Sequence, residues 1–317
     1  NKFGDMSGSY YQTVFTLANI EGARGNANEA DSLFRISMTQ LLYSMKQLWR
    51  YSTPTQREQF WMETLNNLSG MATFAIKCGN LNSELTETCY NALLFSKSLL
   101  LETEKSVVDI IRNEGTDEDI ANYRNLLAIN NRLLALRSNY EYNKLEIDSL
   151  TIRQRELEQR LSYKCQSYNE YETYLDINYE KVRNCLADNE VVIDFSDYQT
   201  EDSVRQYVAY IYDKSKRHPL LVKCFDQQQL DSLLDGMQSF TLYNYEQLQD
   251  GAFNLVWKSI GANITERSTV YYIPSGIMHS IALEAIPLSD GTTLGQHYEF
   301  VRLTSAREIV KVHHTCK

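Results

Sequence analysis

The chain has 317 residues, 43% of them hydrophobic and 23% charged, with a formal net charge of −10. That length allows about two domains of 100–200 residues with sizeable cores, and the composition is that of a soluble globular protein. The acidic balance excludes nucleic acid as a main partner, because a phosphate-binding surface needs a concentrated basic patch, and no apolar run approaches the ~18 residues that cross a bilayer.

The chain opens Asn-Lys-Phe, without Met and without a signal-peptide pattern, so it is expected to be a piece of a longer protein, with the cytoplasm as its compartment. Only four prolines and thirteen glycines favour long helices over many short strands. Residues 9–24 and 28–50 read as a helical pair around Gly22-Ala23-Arg24-Gly25. In the second member Leu33, Phe34, Met38, Leu41, Leu42, Met45 and Leu48 recur at helical spacing. Ser52-Thr53-Pro54 is a break, with Pro54 a first helical residue. Phe60, Trp61, Leu65, Leu68, Met71 and Phe74 continue the period to a Gly79-Asn80 C-cap. A further helix over about 82–99 carries Leu85, Cys89, Leu93 and Leu94. Glycines that end one helix and precede another are the local grammar of tetratricopeptide-like (TPR-like) repeats. Gly25 and Gly79 lie 54 residues apart, not a multiple of 34, so an ordinary irregular helical domain is the alternative. Either array offers a concave face to a protein or peptide partner.

From 99 to 186 the character changes. Thr116-Asp117-Glu118-Asp119 is a capped helix start with acid on the positive end of the dipole. Ile120, Tyr123, Leu126, Leu127, Leu133, Leu134 and Leu136 form one apolar stripe. Leu150, Leu157, Leu161, Tyr168, Leu175 and Val182 recur mostly every seven residues, which predicts a coiled-coil-like helix of about 35 residues, ~50 Å long. The tyrosines at 163, 168, 171, 174 and 179 read as helix packing rather than as a base-stacking surface, because their neighbours are acidic.

Near residue 190 the period becomes that of strands. Glu190–Phe195 is a short β run. Tyr207–Tyr212 and Pro219–Phe225 make a hairpin across the polar turn 213–218. Helices are expected over Gln227–Met237 and Tyr245–Ile260. Val270–Ile273 is a buried strand leaving through Pro274-Ser275-Gly276. Ile281, Leu283 and Ile286 form an apolar patch, Tyr298, Phe300, Val301 and Leu303 a further strand, and Ser305 an N-cap for a helix from Ala306. Strands interleaved with helices predict an α/β sandwich on a mixed sheet.

Candidate chemistry is sparse. The six cysteines, at 78, 89, 165, 185, 224 and 316, show no C-x-x-C pair and read as reduced thiols. Cys316 is the possible nucleophile, and His279, His297, His313 and His314 are the possible bases. Cys316 is penultimate, where chains fray, and the turn and oxyanion hole that a thiolate needs are not legible. His313-His314-x-Cys316 could ligate a metal, the basis of a metal-hydrolase reading, but it lacks further ligands at suitable spacing. His279 reads as a structural residue beside the sheet. Pro274-Ser275-Gly276 is no nucleophile elbow, and no phosphate-binding glycine loop is present.

The ordered run from Thr269 to Ile309 resembles the N-terminal part of a CHAT domain. It comprises a strand, Pro274-x-Gly276-x-x-His279, an apolar segment with Glu284-Ala285-x-Pro287, a loop, an aromatic strand and Ser305-Ala306-Arg307. CHAT domains are relatives of the caspase and separase cysteine proteases and usually stand behind TPR-like repeats. The resemblance covers about 187–317; it departs at Ser275, where the family usually has Asp, and at Ala282, often Pro. It implies an α+β multidomain chain in three parts. A TPR-like helical domain spans 1–98 and a long helical connector 99–186. The N-terminal part of a caspase-like domain with a mixed sheet spans 187–317. In the family the catalytic His and Cys come later, in a His-Gly pair and a small-residue turn, each at the end of a further strand. No catalytic, cofactor-binding or metal residue is therefore assigned here, and no cofactor. The expected role is the sensor and structural portion of a protease that cuts a protein substrate when a partner engages the helices, as in bacterial defence and cell-death systems. The alternative is a non-enzymatic interaction scaffold with a pseudo-protease domain.

Overall fold

The β-branched run at Glu190 is the central strand of a five-stranded sheet in the computed structural model, which describes residues 8–49, 68–78, 83–97, 115–137, 140–165, 176–200, 202–234 and 251–313. β1 (Glu190–Gln199) pairs antiparallel with β2 (Arg205–Asp213), and β2 antiparallel with β3 (Leu220–Asp226). On its other side β1 pairs parallel with β4 (Thr269–Ile273), and β4 parallel with β5 (Glu299–Arg302). The order is β3-β2-β1-β4-β5, and the fold is α+β around a mixed sheet.

Successive strand side chains point to opposite faces, and here both faces are covered. Val191, Ile193 and Phe195 of β1 join Tyr207, Ala209 and Ile211 of β2 in one core, closed by Val256, Trp257, Met278, Ile281, Leu283 and Ile286. The helical segments on this side are α8 (Gln227–Leu234) and a π-helical turn (Phe253–Trp257) that continues into α9 (Lys258–Gly261). The opposite face carries Val192, Asp194, Tyr210 and Tyr212, all buried. It packs against α4 (Glu84–Ser96) and α7 (Tyr179–Cys185). Tyr90 of α4 lies 5.2 Å from the rings of both Tyr210 and Tyr212, and Tyr179 lies 4.9 Å from Tyr212. The two contacts with Tyr212 are edge-on and add to the area the rings bury.

The chain divides into two compact units, one made of Asn1–Leu41, Thr64–Lys97 and Ile177–Lys317, the other of Leu42–Glu63 and Ser98–Asp176. It leaves the sheet unit after Lys97 and returns at Ile177. In the sheet unit, α1 (Gly8–Ala23), the first part of α2 (Ala27–Trp49) and α3 (68–77) meet through Phe15, Phe34 and Phe74, at ring separations of 5.4 and 4.9 Å. Gly25 ends α1 at φ +86°, a conformation an L side chain resists, and Asn26 N–H bonds the Glu21 carbonyl behind it. In the other unit α5 (Asp117–Arg137) and α6 (Tyr140–Cys165) form a helical pair around Leu133, Leu136 and Ile147. Thr116 and Asp119 cap α5 reciprocally at 2.9 and 3.3 Å.

Three expectations are corrected. The single long helix through Val182 is broken, because Ile177 and Asn178 are not helical. Asn178 is extended, and its side chain accepts the Lys181 N–H to start α7 as a new helix. The Ile177 carbonyl is taken by Arg307 Nε instead of a helical N–H. The last described helix (Arg307–Val312) starts one residue later than Ala306. Ser305 still accepts from Arg307 N–H at 3.3 Å, while Glu308 reaches back to the Thr304 and Ser305 amides. Cys185 is disulfide-bonded rather than a reduced thiol, since a pairing set by the fold leaves no spacing signature. The breaks read at Pro54 and Gly79 lie outside the described residues.

Candidate functional site

The topology marks one edge of the sheet. β1 connects to β2 on one side and β4 to β5 on the other, so the chain connections leave the parallel pair β1 and β4 in opposite directions. In open sheets ligands bind beyond the carboxyl ends of the strands at such a switch point. The parallel register ends at Asp194 opposite Ile273, and β1 runs on to Gln199 with β2 alone. The Pro274-Ser275-Gly276 turn and a 3-10 turn (Gly276–Ser280) lie beside that overhang.

Polar side chains gather at that end on both faces of the sheet. Ser275 Oγ donates to Asp197 Oδ1 at 2.5 Å, and the Arg205 guanidinium lies 3.5 Å from Asp197 Oδ2. Gly276 holds φ +53° with its Cα against the Tyr207 ring, where an added Cβ would stand 3.0 Å from Cε1. Lys97, the residue that ends α4, donates from Nζ to Asp194 Oδ1 at 2.6 Å and to the Phe195 carbonyl. Tyr90 Oη donates to the other Asp194 oxygen at 3.1 Å and shares a 2.9 Å bond with Tyr212 Oη. Burial raises the Asp194 carboxyl above its ordinary value, and the Lys97 ammonium works against that rise. Burial likewise pushes the Tyr90 and Tyr212 phenols up.

His279 lies at this edge, where its Nδ1 accepts from Arg302, the last residue of β5, at 2.9 Å. Burial, then the Arg302 and Lys97 cations, lower the imidazole from its usual value, with Asp197 opposing. The ring is therefore neutral, with its proton on Nε2. His297 bonds Thr292 Oγ1 at 2.8 Å. His313 lies at the opposite end of the strands, 3.3 Å from Glu190 and 3.4 Å from the Tyr271 hydroxyl. His314 and Cys316 are outside the described residues. Tyr179 of the tyrosine cluster is a packing residue against Tyr90 and Tyr212.

As chemistry, the edge is a set of oriented cations and hydroxyls rather than a reacting pair. Asp197 takes the Ser275 hydrogen bond directly, with no imidazole between them. Burial pushes the Cys224 thiol up to about 12 and raises Cys89 further, so neither is a thiolate at neutral pH. Among the described residues no group of three or more His, Cys, Asp or Glu could hold a metal ion, and no helix is long and apolar enough to cross a membrane. Sequence reasoning passed over Lys97, Asp194 and Asp197. For Asp194 a signal exists, a carboxylate inside the apolar run Val191-Val192-Ile193-Asp194-Phe195, which must find a partner when buried. Lys97 carries no comparable mark.

A cleft of about 520 Å³ opens elsewhere in the same unit, lined by Asn19, Gly22, Thr73, Lys77, Gln199 and Thr200 among others. It lies between the first three helices and the end of β1. In comparisons with protein-family models, curated proteins and solved structures the chain matches none.

Proposed function

We propose that this chain is the regulatory and structural portion of a CHAT-type cysteine endopeptidase, which cuts a protein substrate when a partner engages its helices. The catalytic His and Cys would come from residues beyond these 317. The observation that supports this furthest is β5. It is four residues long, parallel to β4, and has no strand on its outer side among the described residues. Its Phe300 nevertheless packs on Trp257 at 5.5 Å and on Tyr272 at 6.0 Å. Parallel strands sit best inside a covered sheet, so β5 is a ready edge for further parallel strands. Their carboxyl ends would fall beside Lys97, His279 and Arg302, where an incoming dyad would meet a neutral imidazole and oriented donors. The cleft between α1, α2, α3 and β1 is the proposed seat of a peptide from the activating partner, in keeping with a TPR-like role for those helices.

The encoding gene tests this. It is expected to continue past Lys317 into a strand ending in His-Gly and a later strand ending in Cys. The full-length product is expected to hydrolyse a protein substrate, with activity lost when that Cys becomes Ala. A stop codon directly after Lys317 removes the protease reading. The buried, inactive thiols Cys89 and Cys224 favour the second reading, a scaffold with a pseudo-protease domain. That reading expects partner binding without peptide hydrolysis by the full-length product.

A further inference from the structure

Helix α6 carries two heptad seams on opposite faces. Ile147, Leu150, Leu157 and Leu161, with Asn143 and Gln154 in register, form the inner one. Ile147 is buried against Leu133 and Leu136 of α5, with Leu150 packed alongside. Asn143 Nδ2 bonds the Leu136 carbonyl at 3.2 Å, and Gln154 bonds Asn130 at 2.8 Å. The outer seam is Tyr142, Leu145, Ser149, Ile152, Glu156 and Gln159, spaced 3-4-3-4-3. That is the a/d spacing of a helix that packs along its length against another. Its apolar members are bare: Tyr142 is 88% exposed, Leu145 87% and Ile152 59%. The two seams point about 145° apart at 100° per residue, so the contact with α5 cannot cover the outer one.

The charges beside the outer seam indicate what does. The first half of α6 carries Glu141, Glu146 and Asp148 against Lys144. In the second half Arg153, Arg155 and Arg160 face outward with Glu156, while Glu158 is turned inward at 4% exposed. An acidic half followed by a basic half is complementary to itself when reversed. A two-fold axis beside Ser149 would place Leu145 opposite Ile152 of a second copy and bring Glu146 within reach of that copy's Arg153. By symmetry the same contact forms on both sides of the axis at once. A parallel pairing would instead set like charges against like. In the single chain Glu146 reaches Arg132 at 2.8 Å and Arg153 reaches Glu156 at 3.5 Å, both on exposed side chains. Such surface pairs are worth little and exchange partners readily.

We propose that the outer face of α6 is a self-association surface on which two copies of this chain pair antiparallel about Ser149. About two heptads bury less than the ~800 Å² per partner of a standard interface. Pairing is therefore concentration-dependent, and it would bring two copies of the helical unit together when the protein is locally concentrated.

The test uses the 317-residue chain in sedimentation equilibrium over a concentration series into the high micromolar range. The weight-average mass is expected to rise from 36.8 kDa toward twice that value, and less steeply at high salt. Leu145→Glu with Ile152→Glu is expected to keep the far-ultraviolet helical signal and remain monomeric throughout. Ser149→Cys reports the register directly. In mild oxidant it is expected to form a reducible covalent dimer at least tenfold faster than the unsubstituted chain or Asn131→Cys, an exposed position on α5. A mass constant at 36.8 kDa at every concentration overturns the proposal, as does undiminished association of the double variant. Cross-linking of Ser149→Cys no faster than Asn131→Cys also overturns it, because the contact then lies elsewhere.

Discussion

Asp194 is a carboxylate on the central strand with a side chain 0% exposed, answered by the ammonium of Lys97, whose side chain is 15% exposed. Breaking a buried pair costs more than the pair contributes, because the remaining charge is stranded in a poorly polarisable interior. Lys97→Met is expected to destabilise the sheet unit by about 3–5 kcal/mol at neutral pH, read by urea denaturation. The folded-state value of Asp194 is already raised, so its share of stability is present at low pH and lost as pH rises through that value. Without Lys97 the value rises further, and the deficit of the variant should shrink on acidification. Adding Asp194→Asn should abolish that pH dependence, and failure to do so would show that another group carries it. Gly276 makes a different kind of demand. At φ +53°, with the Tyr207 ring 3.0 Å from where a Cβ would sit, Gly276→Ala incurs both backbone strain and a clash. Gly25→Ala, at φ +86° with open space around it, incurs strain alone, about 1 kcal/mol. Thermal denaturation should therefore rank Gly276→Ala as the more damaging. The turn at Pro274-Ser275-Gly276 was legible because Pro and Gly punctuate locally. The Tyr207 ring beneath it was not.

Helix α4 shows what an element owes to its surroundings. Its start is local, since Ser83 and Thr86 form a capping box, with Ser83 N–H donating to Thr86 Oγ1 at 2.9 Å. Its docking is not local. The single Thr86 hydroxyl proton is shared between the Ser83 carbonyl at 2.7 Å and the Pro219 carbonyl at 3.0 Å, 133 positions away. Tyr90, Leu94 and Phe95 bury themselves against the sheet unit. Thr86→Val is expected to cost about 1–2 kcal/mol by losing the cap and leaving a carbonyl unmet. Ser83→Ala, which touches only the cap, should cost about 1 kcal/mol. Equal losses from the two in chemical denaturation would mean that the bond to Pro219 contributes nothing. Periodicity located α4 to within a few residues but grouped it with the preceding helices, because apolar spacing states that a face is buried and not against what. The break at Ile177 was invisible for the same reason. The heptad runs through it, and the non-helical carbonyl there is met by the distant Arg307 side chain.

For the whole molecule, the excursion through 98–176 leaves and re-enters at points tied to one side chain. Arg307 bonds the Ile177 carbonyl at 3.3 Å, and its guanidinium stands 5.6 Å over the Phe95 ring, two residues before the exit at Lys97. Replacing residues 98–176 with a short Gly/Ser linker is therefore expected to leave the sheet unit folded. The near-ultraviolet signal of the buried tyrosines and one cooperative unfolding transition should persist, and loss of both would show that the sheet needs the excised helices. The sequence by itself determined the apolar and β-branched runs that become the strands, the caps, the glycine turns and the helical character of the first half, because these are contests between neighbours a few residues apart. Only the tertiary structure decided that α4 and α7 cover one face of the sheet, that Lys97 answers Asp194, and that His279 stands on Arg302. Each of those rests on bringing together groups that are 23 to 122 positions apart. The energy of such contacts depends on burial that no local pattern encodes.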